Sequence, residues 1–263
     1  MTHFLIQLYR LIFARKIFYK LNKFLFFLSL KGLGVLNYRN AKESGEAAFL
    51  KFYLTNSRFS GVVLDIGANK GDYTLMCLDK NPKIKVISFE PHPKTFHKLV
   101  HNLKGKDVQI VNKAMGGKIG TLQLYDYANN DGSSHASLYK EVIEDIHGEK
   151  SISHSVEITT IDSFLEQEKI EKIGLLKIDT EGNELDVLKG SVGAIHNKKI
   201  EAIHFEFNEM NIASRCFFKD FVSILDGYEF YRLLPSGMAK IDKYNPLYCE
   251  IFAYQNFVAF LQH

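Results

Sequence analysis

From Gly61 onward the chain alternates short apolar runs with stretches of helical period. Val62–Ile66 is an apolar run of the buried-strand type. Asp72–Asp79 reads as a helix, Lys85–Phe89 as the next strand, closed by Glu90-Pro91, Lys94–Leu103 as a helix and Val108–Asn112 as a third strand. Ile119–Tyr127 alternates, with Leu122 and Leu124 set against Gln123 and Tyr125, and predicts an added strand. Val156–Thr159 is strand-like, and Ile161–Gln167 is a short helix with Thr160 or Asp162 at its start. Ile173–Ile178 is a strong strand ending at Asp179, and the helix Asn183–Lys189 stops at Gly190. Ile200–Phe207 reads as a strand and Ser214–Leu225 as a helix stopped by Gly227. Tyr228–Leu234 and Leu247–Tyr254 are the last predicted strands, joined through Pro235, Gly237, Asn245 and Pro246. That connection has no room for a long crossover helix, so the pair is expected to be antiparallel.

Repeated strand–helix–strand order predicts an α/β fold, a mostly parallel sheet with helices on both faces. The polar segment Ala128–Ser155 is long for a connection and is expected to be an insert that covers a site or is disordered. No internal repeat or flexible interdomain linker is visible, so residues 41–263 are expected to form one domain.

The first forty residues differ. Phe4–Leu30 is rich in Leu, Ile, Phe and Tyr but is interrupted by basic residues. Its longest uncharged stretch after Arg10, Phe24–Leu30, is far short of the roughly 18–20 residues of a spanning helix. Its charges do not precede the apolar run as in a signal peptide. Residues 1–40 therefore read as a basic amphipathic helical arm, with Lys16, Lys20 and Lys23 on one face. Such an arm can lie in a membrane interface, or pack on its own domain or a second subunit as a homodimer contact. Glu43–Ser57 is helix-like.

Charge sharpens this division. Residues 1–40 hold seven basic residues and no Asp or Glu; the remainder has 26 basic against 30 acidic, a net of −4. A mildly acidic body with a basic arm argues against nucleic acid as a partner. Hydrophobic residues make up 46% of the chain, enough for a core, with 21 Phe and 13 Tyr supplying bulk in the absence of Trp. Cys77, Cys216 and Cys249 lie far apart and read as reduced core residues of a cytoplasmic protein.

The chemistry concentrates where Val62–Ile66 feeds the next helix. Gly67 and Gly71 permit positive φ and close approach of a ligand, and Asn69 between them also visits the left-handed region. Glu90, about 20 residues past the turn, is placed to accept hydrogen bonds from both hydroxyls of a ribose. Any adenosine cofactor fits so far. Asp65 before the first glycine and Asp72 after the last disfavour a pyrophosphate, which needs bare N–H groups. They suit S-adenosylmethionine, which carries an ammonium and a sulfonium and no phosphate.

VVLDIGANKGDYT, ISFEPHP, VNKAMG, VEITTIDSFL and LLKIDTEGNELDVLKG, in this order, resemble the FkbM family of S-adenosylmethionine-dependent methyltransferases over roughly Gly61 to Asn208. The resemblance implies a class I (Rossmann-like) methyltransferase fold, a mostly parallel seven-stranded sheet with a terminal antiparallel strand. It implies methyl transfer to hydroxyl oxygens of sugars or polyketide-type products. It also implies that Asp65, Gly67, Ala68, Asn69, Gly71 and Tyr73 surround the methionine end of the cofactor. Glu90 and Pro91 would meet the ribose, Asn112 and Ala114 the adenine, and Asp179 the transferring methyl.

For catalysis the candidates are Asp179, Glu181, Glu206 and His135, the last from the insert (DGSSHASLY). His204, Glu206 and Asn208 share one face of their strand, with Phe205 and Phe207 on the other. Asp179, Glu206 and Asn208 could bind Mg²⁺ or hydrogen-bond a sugar, and no residue set demands a metal. His204 reads as a satisfied core histidine. The favoured function is an O-methyltransferase of a glycan or glycolipid precursor at the cytoplasmic face of a membrane. The alternatives are a natural-product methyltransferase and a non-catalytic peripheral protein. An NAD-dependent dehydrogenase fits least, having Asp65 and no hydride-transfer His/Asp pair.

Overall fold

A computed structural model describes residues 2–57, 59–133 and 136–262. The chain begins with α1 (Thr2–Phe13), a 3₁₀ turn (Lys16–Phe18) and α2 (Tyr19–Gly32), followed by α3 (Glu46–Leu54). The doubly wound part runs β1 (Val62–Ile66), α4 (Asp72–Lys80), β2 (Val86–Phe89), α5 (Pro93–Asn102) and β3 (Val108–Val111). A smaller sheet follows, from β4 (Ala114–Met115), β5 (Gly120–Tyr127) and β6 (Ser151–Thr159), with a π-helical turn at Val142–Ile146. The main sheet resumes with α6 (Ile161–Gln167), β7 (Ile173–Ile178), α7 (Glu184–Lys189), α8 (Val192–His196) and β8 (Ala202–Phe207). The chain then continues through α9 (Met210–Ala213), α10 (Phe218–Ile224), β9 (Tyr228–Leu234), β10 (Gly237–Lys240), α11 (Pro246–Cys249) and β11 (Gln255–Leu261).

The main sheet has eight strands in the order β3-β2-β1-β7-β8-β11-β9-β10. β3, β2, β1, β7 and β8 are parallel; β11 is antiparallel to β8 and to β9, and β10 closes a hairpin on β9. The expected seven strands thus gain an eighth, because the two residues Pro235-Ser236 reverse the chain and Gly237 already pairs with Leu234. The final antiparallel strand lies later than expected. Pro246 and the Asn245 side chain, which accepts from Leu247 N–H, start a helical turn where a strand was expected at Leu247–Tyr254. The real strand opens on the polar pair Gln255-Asn256, which hides it from a search for apolar runs. The insert is also shorter than expected, since β6 begins at Ser151.

The sheet separates two cores. Leu64, Ile66, Leu176, Ile178, Phe205 and Phe207 point to one, where Phe205 stacks on Phe221 with ring centroids 4.5 Å apart. Val63, Val86, Leu175 and Val258 face α3 and α4 on the other side. All three cysteines are free and buried. Several helix starts follow local sequence. Thr160 accepts from Ser163 N–H at the head of α6, and His92 with Pro93 opens α5.

The arm is two helices, not one. Asn22 donates to the Phe13 carbonyl and accepts from the Tyr9 hydroxyl, which stabilises a break at Ala14–Arg15. Most of the large apolar side chains of the arm are exposed, Phe4 at 69% and Ile17 at 81%. Among the described residues no helix is long and apolar enough to cross a membrane. The root of the arm is fixed: Leu30 and Val35 are buried, and Leu36 N–H donates to the Tyr254 carbonyl.

Candidate active site

The carboxyl ends of the parallel strands carry the polar groups, as expected where an open α/β sheet binds its ligand. Four residues stand in register across four strands: Ser88 on β2, Asp65 on β1, Lys177 on β7 and His204 on β8. All four are buried. They share the face that looks at α4, and two consecutive α4 residues satisfy them. Thr74 donates its hydroxyl to Asp65 Oδ2 at 2.6 Å and lies 2.7 Å from the Ser88 hydroxyl. The Tyr73 hydroxyl lies 2.8 Å from His204 Nδ1, and Asn256 on β11 meets His204 Nε2 at 2.9 Å. His204 is thus a satisfied core histidine, and burial together with Lys177 holds its imidazolium well below the usual range. Burial likewise pushes Asp65 up to about 6, opposed by Thr74 and Lys177.

Lys177 is the residue that sequence reasoning passed over. Its ammonium lies 3.3 Å from Asp179 Oδ2 and 5.5 Å from the Tyr73 ring centroid. Burial works to lower it, but Asp179, Glu46, Glu206 and Asp65 outweigh burial and raise it above the ordinary lysine value. The signal was the charge itself: a lysine inside the otherwise apolar run Ile173–Ile178 needs carboxylates around it.

The turn after β1 is built for close approach. Gly67 has φ of 79°, and a β-carbon there would sit 1.7 Å from the Asp179 carbonyl oxygen. Asn69 takes φ of 49° and donates its N–H to Glu90 Oε2 at 2.9 Å. His92 N–H donates to the other Glu90 oxygen at 2.8 Å. Glu90 is therefore aimed before any ligand arrives, and burial pushes it up to about 7. Asn112 donates to the carbonyls of Glu90 and Pro91, so it holds this turn from β3. Gly71 caps α4 at φ of 93° and packs against Leu99 and Leu103.

Three clefts meet here, and Gly67, Asn69 and Asp179 line all of them. The first is a narrow slot of about 60 Å³ between Glu90, Pro91 and Ala114 on one side and Leu124 of β5 with Ala136 and Leu138 of the insert on the other. The second, of about 410 Å³, holds Asp65, Ala68, Tyr73 and Lys177, with Tyr38 and Glu46 from before β1. The third, of about 440 Å³, is walled by Glu181, Glu206, Asn208 and Glu209, with Tyr38 and Tyr254. Of the predicted residues, Gly71 and Asn112 act behind the clefts instead of lining them. His135 lies outside the described residues.

The third cleft is strongly acidic. Burial, then Asp179 and Glu181, push Glu206 well above the usual carboxylate range. Asn208 donates its amide to Glu206 Oε1 and uses its own oxygen to accept from Met210 N–H. That oxygen is engaged by the fold, which weakens it as a ligand for Mg²⁺. Glu184 shapes the Asp179–Gly182 turn: buried, it accepts from Thr180 N–H, the Thr180 hydroxyl and Gly182 N–H. Sequence reasoning gave Glu184 no role.

The first five parallel strands, with β11 inserted antiparallel between β8 and β9, make this the class I, Rossmann-like methyltransferase fold. Within that class the chain belongs to the methyltransferase FkbM domain family, whose domain matches residues 65–251. The family takes S-adenosylmethionine as its methyl donor. Among its relatives, methyltransferase sdnD of Sordaria araneosa is 30% identical over 49% of this chain and 59% of its own. The hexuronic acid methyltransferase AglP of Haloferax volcanii is 29% identical over 58% of this chain and 59% of its own. The 2-O-methyltransferase NoeI of Sinorhizobium fredii is 24% identical over 67% of this chain and 76% of its own. The chain thus spans about 59% of the length of the first two.

Proposed function

We propose that the chain transfers the methyl group of S-adenosylmethionine to a hydroxyl oxygen of a sugar in a glycan or glycolipid precursor. The observation that carries this reading is the junction of three clefts at Gly67, Asn69 and Asp179. A donor lying across the first two would present its centre to the third. The donor set suits the cofactor. Glu90 would accept from the ribose hydroxyls, Asp65 and Glu46 favour the cationic methionine end, and Lys177 is the buried cation for its carboxylate.

The sulfonium supplies the leaving-group strength for an in-line displacement at carbon. The chain has to align the two partners and take a proton. Asp179 at the junction is the candidate base: as the new C–O bond forms and the C–S bond breaks, the acceptor's O–H proton passes to its carboxylate. Glu206, held toward its protonated form, would donate a hydrogen bond to another oxygen of the acceptor. Glu181 lines the first and third clefts and would orient the acceptor against the donor.

A sugar acceptor is supported by the polar wall Glu206, Asn208 and Glu209 beside Tyr38 and Tyr254, and by the names of the AglP and NoeI relatives. The apolar surface of Tyr38, Met210 and Tyr254 keeps a natural-product alcohol as the second reading. The exposed apolar arm with seven basic residues supports peripheral contact with an anionic bilayer on the cytoplasmic side. Calorimetry with S-adenosylhomocysteine tests the base of the reading. Micromolar binding to the wild type, at least about tenfold weaker in Glu90→Ala, is expected. No binding to the folded wild type would overturn it.

A further inference from the structure

The inner face of the small sheet carries a second constellation, away from the three-cleft junction. Asp126 on β5 and His154 on β6 converge with Asp131 of the following loop on His92, which caps α5. His92 Nε2 lies 2.9 Å from Asp131 Oδ1 and 3.3 Å from Asp126 Oδ2. His154 Nε2 lies 2.7 Å from the same Asp131 oxygen. The side chains of His92 and Asp126 are fully buried and Asp131 nearly so.

This packing leaves a charge problem. One imidazole nitrogen carries one proton, so His92 Nε2 cannot serve two carboxylates at full strength. The neighbouring cation is Lys94, which sits 2.6 Å from the outer Asp131 oxygen, half exposed. The ligand atoms of His92, Asp131 and His154 converge closely enough to surround a further positive charge.

We propose that His92, Asp131 and His154 bind one divalent transition-metal ion of the zinc class, with water as the fourth ligand. Two imidazoles, one carboxylate and a water are a donor set that such ions take. Bonds of about 2.0–2.2 Å in a tetrahedron place ligand atoms roughly 3.3 Å apart. The nitrogen and oxygen atoms of His92, Asp131 and His154 already lie within 4.8 Å of one another. The supporting hydrogen bonds are built. Asp126 stands behind the site, 3.3 Å from His92 Nε2, and is itself fixed by accepting from the N–H groups of Tyr127, Gly132 and Ser133 and from the Ser133 hydroxyl. Metal on His92 Nε2 would place the proton on Nδ1, which now accepts from Thr95 N–H across 3.5 Å, so that long bond would be exchanged for the bond to the metal.

The consequence is a clasp. The ion would fasten the small sheet and the loop bearing Ser133 to the turn whose His92 N–H holds Glu90. Cofactor affinity should therefore rise with metal occupancy.

The test uses the untagged full chain, treated with EDTA, dialysed, and titrated with Zn²⁺ and with Co²⁺. The expected result is uptake of about one ion per chain, with the visible absorption of four-coordinate Co²⁺. Uptake should weaken at least about tenfold in Asp131→Asn and His154→Gln. Affinity for S-adenosylhomocysteine should fall several-fold on chelation of the wild type alone. A folded wild type that takes up neither ion, or uptake unchanged in both Asp131→Asn and His154→Gln, would overturn the site. Uptake with unchanged cofactor affinity would overturn the clasp. The Co²⁺ spectrum needs no variant, so a variant that fails to fold leaves a decisive measurement. Metal uptake is read without methyl transfer, so its failure is distinct from failure of the proposed function.

Discussion

Asp65 and Lys177 are register partners on β1 and β7, side by side and both buried. Asp65 nonetheless sits at about 6, because burial outweighs the help it receives from Thr74 and Lys177. Between about pH 4 and 6 the native state keeps a proton here that the unfolded chain has released. The native state then binds more protons, so Asp65 lowers stability as pH rises through this window. The contribution is on the order of 3 kcal/mol. Urea unfolding of the unliganded protein across this range should show it, and Asp65→Asn should flatten it. Lys177→Met removes a charge that lowers Asp65 and should extend the decline to higher pH. A slope identical in wild type and Asp65→Asn would refute the assignment.

Gly67 and the Asp179 carbonyl leave no space for a side chain between β1 and β7. Gly67→Ala would place a β-carbon 1.7 Å from that oxygen at a φ of 79°. The neighbour is backbone and cannot swing aside, so the two strand ends have to separate. We expect a loss of about 3 kcal/mol or more in urea unfolding, from overpacking and backbone strain together. Binding of S-adenosylhomocysteine should disappear with the junction of the clefts. Gly105→Ala, where nothing lies within 4 Å of the new carbon, is the control for a glycine with positive φ.

Asp179 lines all three clefts while lying 3.3 Å from the Lys177 ammonium. Asp179→Asn keeps the shape and removes the proton acceptor. Once an acceptor is in hand, turnover should fall by about 10²–10⁴-fold. Affinity for S-adenosylhomocysteine should change far less. Glu206→Gln should raise the acceptor's KM more than it lowers kcat, because its expected part is a hydrogen bond to the acceptor. Equal loss of cofactor affinity and turnover in Asp179→Asn would make Asp179 a cofactor-binding residue and not the base.

What the sequence made legible follows from how local each signal is. β1 and β7 were readable because strands buried on both faces are apolar apart from Asp65 and Lys177, and their ends fall where expected. Glu90 was readable from its distance past the glycine turn, and the structure brings it to Asn69. Lys177 was not assigned, because its meaning lies in its register partners His204 and Asp65, 27 and 112 residues away. Tyr38 and Glu46 precede the recognised motifs, yet they reach the clefts because Leu36 is tied to Tyr254 near the other end of the chain. The Asn256 that opens β11 reads as a turn residue until His204 is seen to need a partner.

The arm yields the last prediction. α1, the 3₁₀ turn and α2 present Phe4, Leu11, Ile17, Phe24 and Phe26 to solvent, each more than half exposed, among basic residues with no acid before Glu43. An unpartnered apolar surface of this size calls for an occupant. An anionic bilayer satisfies both features, at about 1 kcal/mol per basic residue near the surface plus the buried apolar area. The full chain should sediment with vesicles containing phosphatidylserine, less with neutral vesicles, and less again at high salt. A chain beginning at Lys42 should stay in the supernatant. Its cofactor affinity is also expected to weaken, because it lacks Tyr38 from the wall of the second cleft. Lys20→Glu with Lys23→Glu should reverse the lipid preference while leaving that affinity intact, since neither residue lines a cleft. If the full chain ignores both vesicle types and instead elutes as a dimer that the truncated chain does not form, the arm covers a second copy of itself and the membrane reading fails.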